Sequence, residues 1–217
     1  MKNEESWKPS RVITEKGQFK IDPKYYSLAS LYIGETILPA YVQTMQEYLK
    51  GDMLDCGSGQ APYYIIYKDV VNSVTCVDWE VTDKKHDYLD YTMDLNQPLT
   101  FTNQKFDSIL LADVLEHIYE PKLLLKELAG VLNPGGNLVV FVPFYYWIHS
   151  EPHDYHRYTE FSLRQMAIDS GLEVTYLKPY GGFFDIGFDL INKFFIKRKF
   201  SLRLLIRFSK WIKKTRY

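Results

Sequence analysis

The sequence predicts an α/β fold in which a doubly wound, mainly parallel sheet carries helices on both faces. Three observations predict it. Strand-like apolar runs alternate with amphipathic runs of roughly 10–12 residues, the pattern of strand–helix–strand units. The first strand-like run, Met53-Leu54-Asp55-Cys56, enters a tight turn whose glycines, Gly57 and Gly59, let the backbone take positive φ. A later run, residues 137–142, is almost wholly apolar, as a strand buried on both faces should be.

The elements follow in order. After a polar start, residues 25–49 place Leu28, Leu31, Tyr32, Leu38, Tyr41, Val42, Met45 and Leu49 on one apolar stripe, which predicts a helix interrupted near Pro39. Gly51-Asp52 ends it, and the first strand follows. Residues 61–71 read as a helix with Pro62 in its first turn. Residues 73–77 form a β-branched strand ending at Asp78, residues 90–95 a short third strand, and residues 106–112 a fourth. A helix over 121–132 rests on Leu124, Leu128, Val131 and Leu132, and stops at the turn Asn133-Pro134-Gly135-Gly136. The fifth strand, 137–142, is followed by a helix over 159–170, with Thr159 as N-cap and Gly171 beyond its end. Residues 173–180 read as a sixth strand, and Gly181-Gly182 leads into an aromatic helical run over 183–196. These elements divide the chain into an N-terminal helical cap (1–50), a core (51–180) and an aromatic, basic helical extension (181–217).

A chain of 217 residues suits one domain with modest additions. Its two cysteines, Cys56 and Cys76, fall inside predicted strands and read as buried reduced thiols. The N-terminus lacks a secretory apolar core, and no run approaches the ~20 apolar residues that span a bilayer; a cytoplasmic protein is expected. The net charge of −1 hides an asymmetry: ten of the 26 Lys and Arg lie in residues 193–217, which hold no Asp or Glu. The 192 residues before them carry 16 basic against 27 acidic side chains, a net of −11. At helical spacing Arg203, Arg207, Lys210 and Lys214 share one face of this tail, and Leu204, Leu205, Phe208, Trp211 and Ile212 the other. That pattern fits an element lying on an anionic membrane surface, peripheral to its cytoplasmic face, and equally a helix packed on the fold with a solvated basic side. Nucleic acid is not expected, because the acidic body would repel its backbone.

In a sheet of this kind, ligands bind at the carboxyl ends of the strands, near the switch in strand order. Those ends carry Asp55, Gly57, Ser58 and Gly59 after the first strand and Asp78 with Trp79 after the second. Asp94 with Leu95 follows the third, and Ala112 with Asp113 the fourth. An acid just before the glycine turn suits a ligand with a cationic tail, whereas a phosphate would want bare amides and positive charge. Asp78 can accept from ribose hydroxyls and Asp94 from an exocyclic amine, and Trp79 or Leu95 can pack on a purine; solvated loop acids are the plain alternative. The constellation describes an adenosine with a cationic amino-acid tail and no phosphates.

These motifs, in this order, resemble the class I S-adenosylmethionine-dependent methyltransferases. Leu54-Asp55-Cys56-Gly57-Ser58-Gly59-Gln60-Ala61 resembles the family's first motif, with Ala61 in place of the usual third glycine. Asp78 resembles the ribose-binding acid, Asp94 the adenine-edge acid, and Leu132-Asn133-Pro134-Gly135-Gly136 the turn before strand five. Phe106-Asp107 through Ala112-Asp113-Val114-Leu115-Glu116-His117 resembles the fourth-strand segment that borders cofactor and substrate. The resemblance covers roughly residues 50–180 and implies a Rossmann-like fold, S-adenosyl-L-methionine as cofactor and methyl transfer as activity. Pro62-Tyr63-Tyr64 and Pro152-His153-Asp154-Tyr155-His156-Arg157-Tyr158-Thr159 are similar to a bacterial subgroup often associated with cell-surface glycan biosynthesis. The family's reversed seventh strand has no counterpart after Tyr180.

For the acceptor, residues 144–158 supply aromatic faces and imidazoles after the fifth strand, suited to a small or glycan-like molecule and almost as well to a structural lid. Methyl transfer from a sulfonium needs alignment and exclusion of water, and an alcohol acceptor also needs a general base. His149 and His153 are the candidates, with Asp154 as orienter; for a carbon or amine acceptor no such residue is required. The spacing from His149 to His156 matches no recognised metal-ligand pattern, so no metal is assigned. His117 reads as a structural hydrogen-bonding residue or as a base. Two other functions stay open: a cofactor-binding module without turnover, and a nicotinamide-dependent oxidoreductase. The latter's Gly-x-Gly-x-x-Gly would need glycine where Pro62 stands, and its pyrophosphate would sit beside Asp55.

Overall fold

The N-terminal segment holds an element its sequence did not announce, an antiparallel hairpin of β1 (Val12–Glu15) and β2 (Gln18–Ile21). Lys16 and Gly17 join the strands, both at positive φ (53° and 75°), the geometry that a two-residue hairpin turn demands. Helix α1 (Leu28–Tyr48) follows and runs through Pro39 without the expected interruption. The structure is a computed structural model that describes residues 1–26, 28–79, 88–101 and 104–197. The chain forms two compact units, one of residues 10–42 and 179–217, the other of residues 1–9 and 43–178.

The second unit is built on β3 (Asp52–Cys56), β4 (Ser73–Asp78), β5 (Tyr91–Thr92), β6 (Phe106–Ala112) and β7 (Leu132–Phe141). They pair in parallel in the order β5-β4-β3-β6-β7. The chain thus winds outward from β3 to β5, crosses back, and winds the other way through β6 and β7. Because crossovers between parallel strands are right-handed, the two directions put their connections on opposite faces. This is the doubly wound, Rossmann-like sheet expected, with its switch point between β3 and β6. Leu54, Cys56, Val77, Ile109, Leu111 and Leu128 pack one continuous core around it.

Four expectations are corrected. The helix expected over 61–71 is the single turn α2 (Tyr64–Tyr67). Gly59 and Ala61, at φ 53° and 49°, keep the loop left-handed up to Pro62, and β4 begins soon after. The third strand is two residues long, because Asn96 N donates to Asp94 Oδ1 (2.9 Å) and Gln97 N to Asp94 O (2.9 Å), turning the chain off the sheet. β7 begins directly after α3 (Pro121–Val131), and the Asn133–Gly136 turn bulges out between the pairs Phe106↔Leu132 and Ser108↔Asn137. Residues 173–180 join no sheet, and among the described residues the sheet has five strands. Val174 and Leu177 are half-buried while Tyr176 is exposed, so the period of two is broken, and the segment docks through side chains. Tyr176 stacks on Tyr48 at 5.8 Å between ring centroids, and no ladder forms.

Helix α4 (Glu160–Asp169) is capped as expected, Thr159 Oγ1 accepting from Ser162 N at 3.2 Å. In the other unit, α5 (Phe183–Lys197) realises the aromatic helical run. There Tyr32 donates to Asp185 Oδ1 (2.7 Å) and lies against Phe188 (4.5 Å between centroids), and Lys193 pairs with Asp189 in a buried ion pair. Residues 198–217, which hold most of the basic tail, lie outside the described residues.

Candidate active site

The loop after β3 is folded against β4. Gly57 N and Ser58 N both donate to Val77 O (2.7 and 3.1 Å), which turns the loop over the end of the neighbouring strand. Gly57 has φ 71°, and a Cβ there would come within 2.4 Å of Val114 Cγ2, so any side chain would strain the backbone and force Val114 to move. Gly59 differs: a Cβ would meet only Asp78 Oδ2, at 3.8 Å, so the loop surface above it is open to a ligand.

Asp78 is tied to this loop. Gly59 N donates to its Oδ2 (2.6 Å) and Trp79 N to its Oδ1 (2.8 Å). Both oxygens are thus engaged, and the half-buried carboxylate is rigidly held at the edge of the loop. Asp55 is placed differently, beneath the loop: it is buried, and Tyr67 Oη donates to its Oδ2 at 2.5 Å. Burial pushes this carboxyl up to about 7, against the opposing pull of the Tyr67 bond, with the charge of Asp78 adding to the rise. Ser58 is buried. Asp94 is exposed in its turn, whereas Leu95 points into the core. Trp79 remains two-fifths exposed at the end of β4. Residues 80–87, which follow it, lie outside the described residues.

Across the switch point, Ala112 ends β6 half-buried and Asp113 stands exposed at φ 57°, its amide donating to Phe141 O (3.0 Å). Tyr63, from the residues next to the glycine loop, reaches Asp113 Oδ2 at 3.4 Å. The chain then makes a 3-10 turn, Leu115–His117, that holds the segment after β7. Glu116 O accepts from Tyr155 N (2.9 Å) and His156 N (3.2 Å), and Tyr158 Oη donates to Leu115 O (2.8 Å). The motifs after β6 and β7 are thus one hydrogen-bonded assembly.

Within it, the three expected residues take distinct positions. Asp154 is clamped by Arg157, with Nη1 to Oδ1 at 2.6 Å and Nη2 to Oδ2 at 2.8 Å, which holds its carboxyl well below the usual carboxylate range. His149 packs beside it, its amide donating to Asp154 Oδ2 (2.9 Å) and its Nδ1 lying 3.2 Å from the same oxygen. His153 lies against the end of β4, its ring edge-on to Trp79 at 5.0 Å between centroids and its Nδ1 3.1 Å from Tyr155 Oη.

The sequence reading gave no separate role to Glu116, Tyr67 or Arg157. Glu116 is fully buried, and neither of its oxygens has a hydrogen-bond partner. Burial, then the charge of Asp113, pushes its carboxyl up to about 8. The signal in the sequence was an acid followed by histidine just past a strand end. His117 is half-buried, and desolvation lowers the pKa of its imidazole.

The site, with its open glycine loop, an acid held at the loop's edge and an adjoining imidazole face, fits an adenosine-based sulfonium donor. Comparison with known proteins agrees. Residues 54–140 match the family model of the methyltransferase domain. Among solved structures, a complex of the Haloferax volcanii Trm112 methyltransferase activator with a candidate methyltransferase matches at 19% identity and TM-score 0.52, over 67% of this chain and 72% of that one. An S-adenosylmethionine-dependent methyltransferase from Clostridium acetobutylicum matches at 14% identity and TM-score 0.50, over 72% and 83%. An O-methyltransferase family protein from Burkholderia thailandensis matches at 15% identity and TM-score 0.50, over 65% and 52%. At these identities the likeness is one of fold. No curated protein matches the chain significantly. Residues 54–140, less than half of the chain, are thus similar to a methyltransferase domain, which implies an enzyme that uses S-adenosylmethionine.

Proposed function

We propose that the chain methylates a hydroxyl of a small, glycan-like acceptor seated over residues 144–158. The observation that carries this reading is the contact of His153 with Trp79, 5.0 Å between ring centroids, which sets an imidazole from the acceptor segment beside the cofactor strand. Bound in the loop, S-adenosylmethionine supplies an activated methyl group for in-line displacement. Gly57, Ser58 and Gly59 shape the loop, Asp78 accepts the ribose, and Trp79 and Asp94 border the adenine. Asp55 acts from beneath, through the loop it supports. His153 takes the acceptor's proton as the new C–O bond forms and the C–S bond breaks, so the sulfide product leaves neutral. Asp154, fixed by Arg157, holds His149 in place. The exposed aromatics Phe144, Tyr145 and Trp147 offer apolar faces of the kind that pack on sugar rings.

The resemblance of Pro62-Tyr63-Tyr64 and of residues 152–159 to a glycan-associated bacterial subgroup supports this acceptor class. So does the basic tail: on an anionic cytoplasmic membrane face it would bring the site to lipid-linked glycans. Among the described residues no helix is long and apolar enough to cross a membrane. Turnover separates this reading from a binding module. With a panel of glycosyl acceptors, His153→Ala should leave S-adenosylmethionine affinity within twofold of the parent and lower methyl transfer at least 100-fold. Equal loss of cofactor affinity would move residues 144–158 into the cofactor pocket and end the assignment.

A further inference from the structure

We infer that Glu116, His117 and His149 form a binding site for one divalent transition-metal ion. The Nε2 atoms of both histidines lie 3.8 Å from the same oxygen, Glu116 Oε1, and the two rings are 4.7 Å apart between centroids. One ligand atom from each of the three residues falls within 4.8 Å of the others.

The protons of this cluster are fixed from outside it. His117 Nδ1 is 2.5 Å from the carbonyl oxygen of His153, which can only accept, so Nδ1 carries the proton and Nε2 a lone pair. His149 Nδ1 faces Trp147 O at 3.3 Å and Asp154 Oδ2 at 3.2 Å, again both acceptors, so in the neutral ring its Nε2 is also a lone pair. Two imidazole lone pairs therefore converge on a carboxylate that is fully buried and has no donor on either oxygen. Left as it is, the arrangement strands a buried polar group. A protonated Glu116 does not fully resolve it, because its one proton serves only one of the two imidazole nitrogens, each 3.8 Å from Oε1. A cation does.

The outer partners match what metal-bound histidines require. A backbone carbonyl on one Nδ1 and a carboxylate on the other orient the rings, and Arg157 locks that carboxylate. Metal–ligand bonds of about 2.0–2.2 Å put neighbouring ligand atoms roughly 3–3.5 Å apart, so the 3.8 Å separations close by a few tenths of an ångström. Two imidazoles and one carboxylate suit zinc, manganese, iron(II), cobalt or nickel, in contrast to the all-oxygen sets that magnesium and calcium prefer. Three protein ligands leave coordination positions open. If the acceptor lies over residues 144–158, which rests on the function proposed above, an open position can hold its oxygen and favour loss of its proton to His153. Binding of the ion itself does not rest on that reading.

The full chain, stripped with chelator and free of S-adenosylmethionine, is titrated with Zn²⁺ and Mn²⁺ by calorimetry and with Co²⁺ by visible absorption. One ion per chain is expected, with a Co²⁺ d–d band in the parent protein. Glu116→Gln and His149→Ala should each weaken uptake at least 100-fold while keeping the circular dichroism spectrum and cofactor affinity, and His156→Ala, outside the cluster, should not. A parent chain that shows no saturable uptake and no band overturns the site, as does uptake unchanged in folded variants. Where Glu116→Gln fails to fold, His149→Ala and the parent spectrum decide. Metal uptake without methyl transfer to any acceptor would sink the proposed function and leave the ion site standing.

Discussion

Replacing Asp55 with asparagine removes a titration while preserving the shape of the first motif. Asp55 is buried, and its carboxyl is pushed up to about 7, whereas an unfolded chain holds aspartate near 3.9. An acid whose folded pKa is raised binds its proton more tightly in the native state, so stability falls as pH rises from about 4 to about 7. The slope is at most about 1.4 kcal/mol per pH unit, and between pH 5 and pH 8 the loss integrates to about 2.5 kcal/mol. Glu116, pushed up to about 8, adds a loss of the same sign, so the parent curve alone cannot isolate Asp55. Subtraction can. Urea unfolding of the parent and of Asp55→Asn, at unit pH steps from 5 to 8, should give a stability difference that moves against the parent by about 2.5 kcal/mol across the range. A difference constant to within about 0.5 kcal/mol would mean that Asp55 keeps an ordinary pKa, and the account of the motif as a buried acid held by Tyr67 would fail.

Other outcomes are as definite. Asp78→Ala removes the acceptor for Gly59 N and Trp79 N and should weaken S-adenosylmethionine binding by about 1–3 kcal/mol in calorimetry, with no heat from NAD in parent or variant. Tight NAD binding with no response to the sulfonium would refute the cofactor assignment of these residues. Gly57→Ala should lower stability by about 1–3 kcal/mol in thermal melts, and Val114→Ala in the same chain should restore part of it, because the new Cβ would lie 2.4 Å from Val114 Cγ2. The full chain should sediment with anionic but not neutral vesicles at low salt, and a chain ending before Ser201 should not; a full chain left in the supernatant would refute membrane docking.

The sheet could be read from the sequence where a strand's apolar residues are buried in its core. Residues 106–112 appear as β6 within the bounds that pattern suggests, and Thr159 caps α4 because its hydroxyl has an orphan amide within reach. The failures share a cause. Residues 173–180 alternate like a strand, but alternation reports a half-buried face and says nothing of whether a partner's backbone is available to pair. The hairpin at 12–21 was missed because Lys16-Gly17 lacks the asparagine or aspartate that usually marks such a turn, though both residues adopt the required positive φ. Residues 61–71 have helical composition, yet two left-handed residues in the preceding loop delay the start, and no composition records that.

The two buried acids at the switch point show why a motif's prominence and its chemistry need not coincide. Asp55 stands out in the sequence because it precedes the glycines, yet the fold gives it a phenol donor at 2.5 Å, and a satisfied buried acid serves to brace its loop. Glu116 is inconspicuous, and the fold gives it no donor at all. Nothing in local sequence separates these cases. Tyr67 lies 12 residues from Asp55, within one strand–loop–helix unit. The imidazole facing Glu116 across the assembly belongs to His149, on the segment after the next strand. Only strand order brings the ends of β6 and β7 together, and with them the lone pairs that make Glu116 reactive toward a cation. The proposed cofactor half is built from short-range turns of one strand–loop–helix segment and is legible there. The proposed acceptor half joins the ends of two strands far apart in sequence, and it becomes legible only once the sheet is assembled.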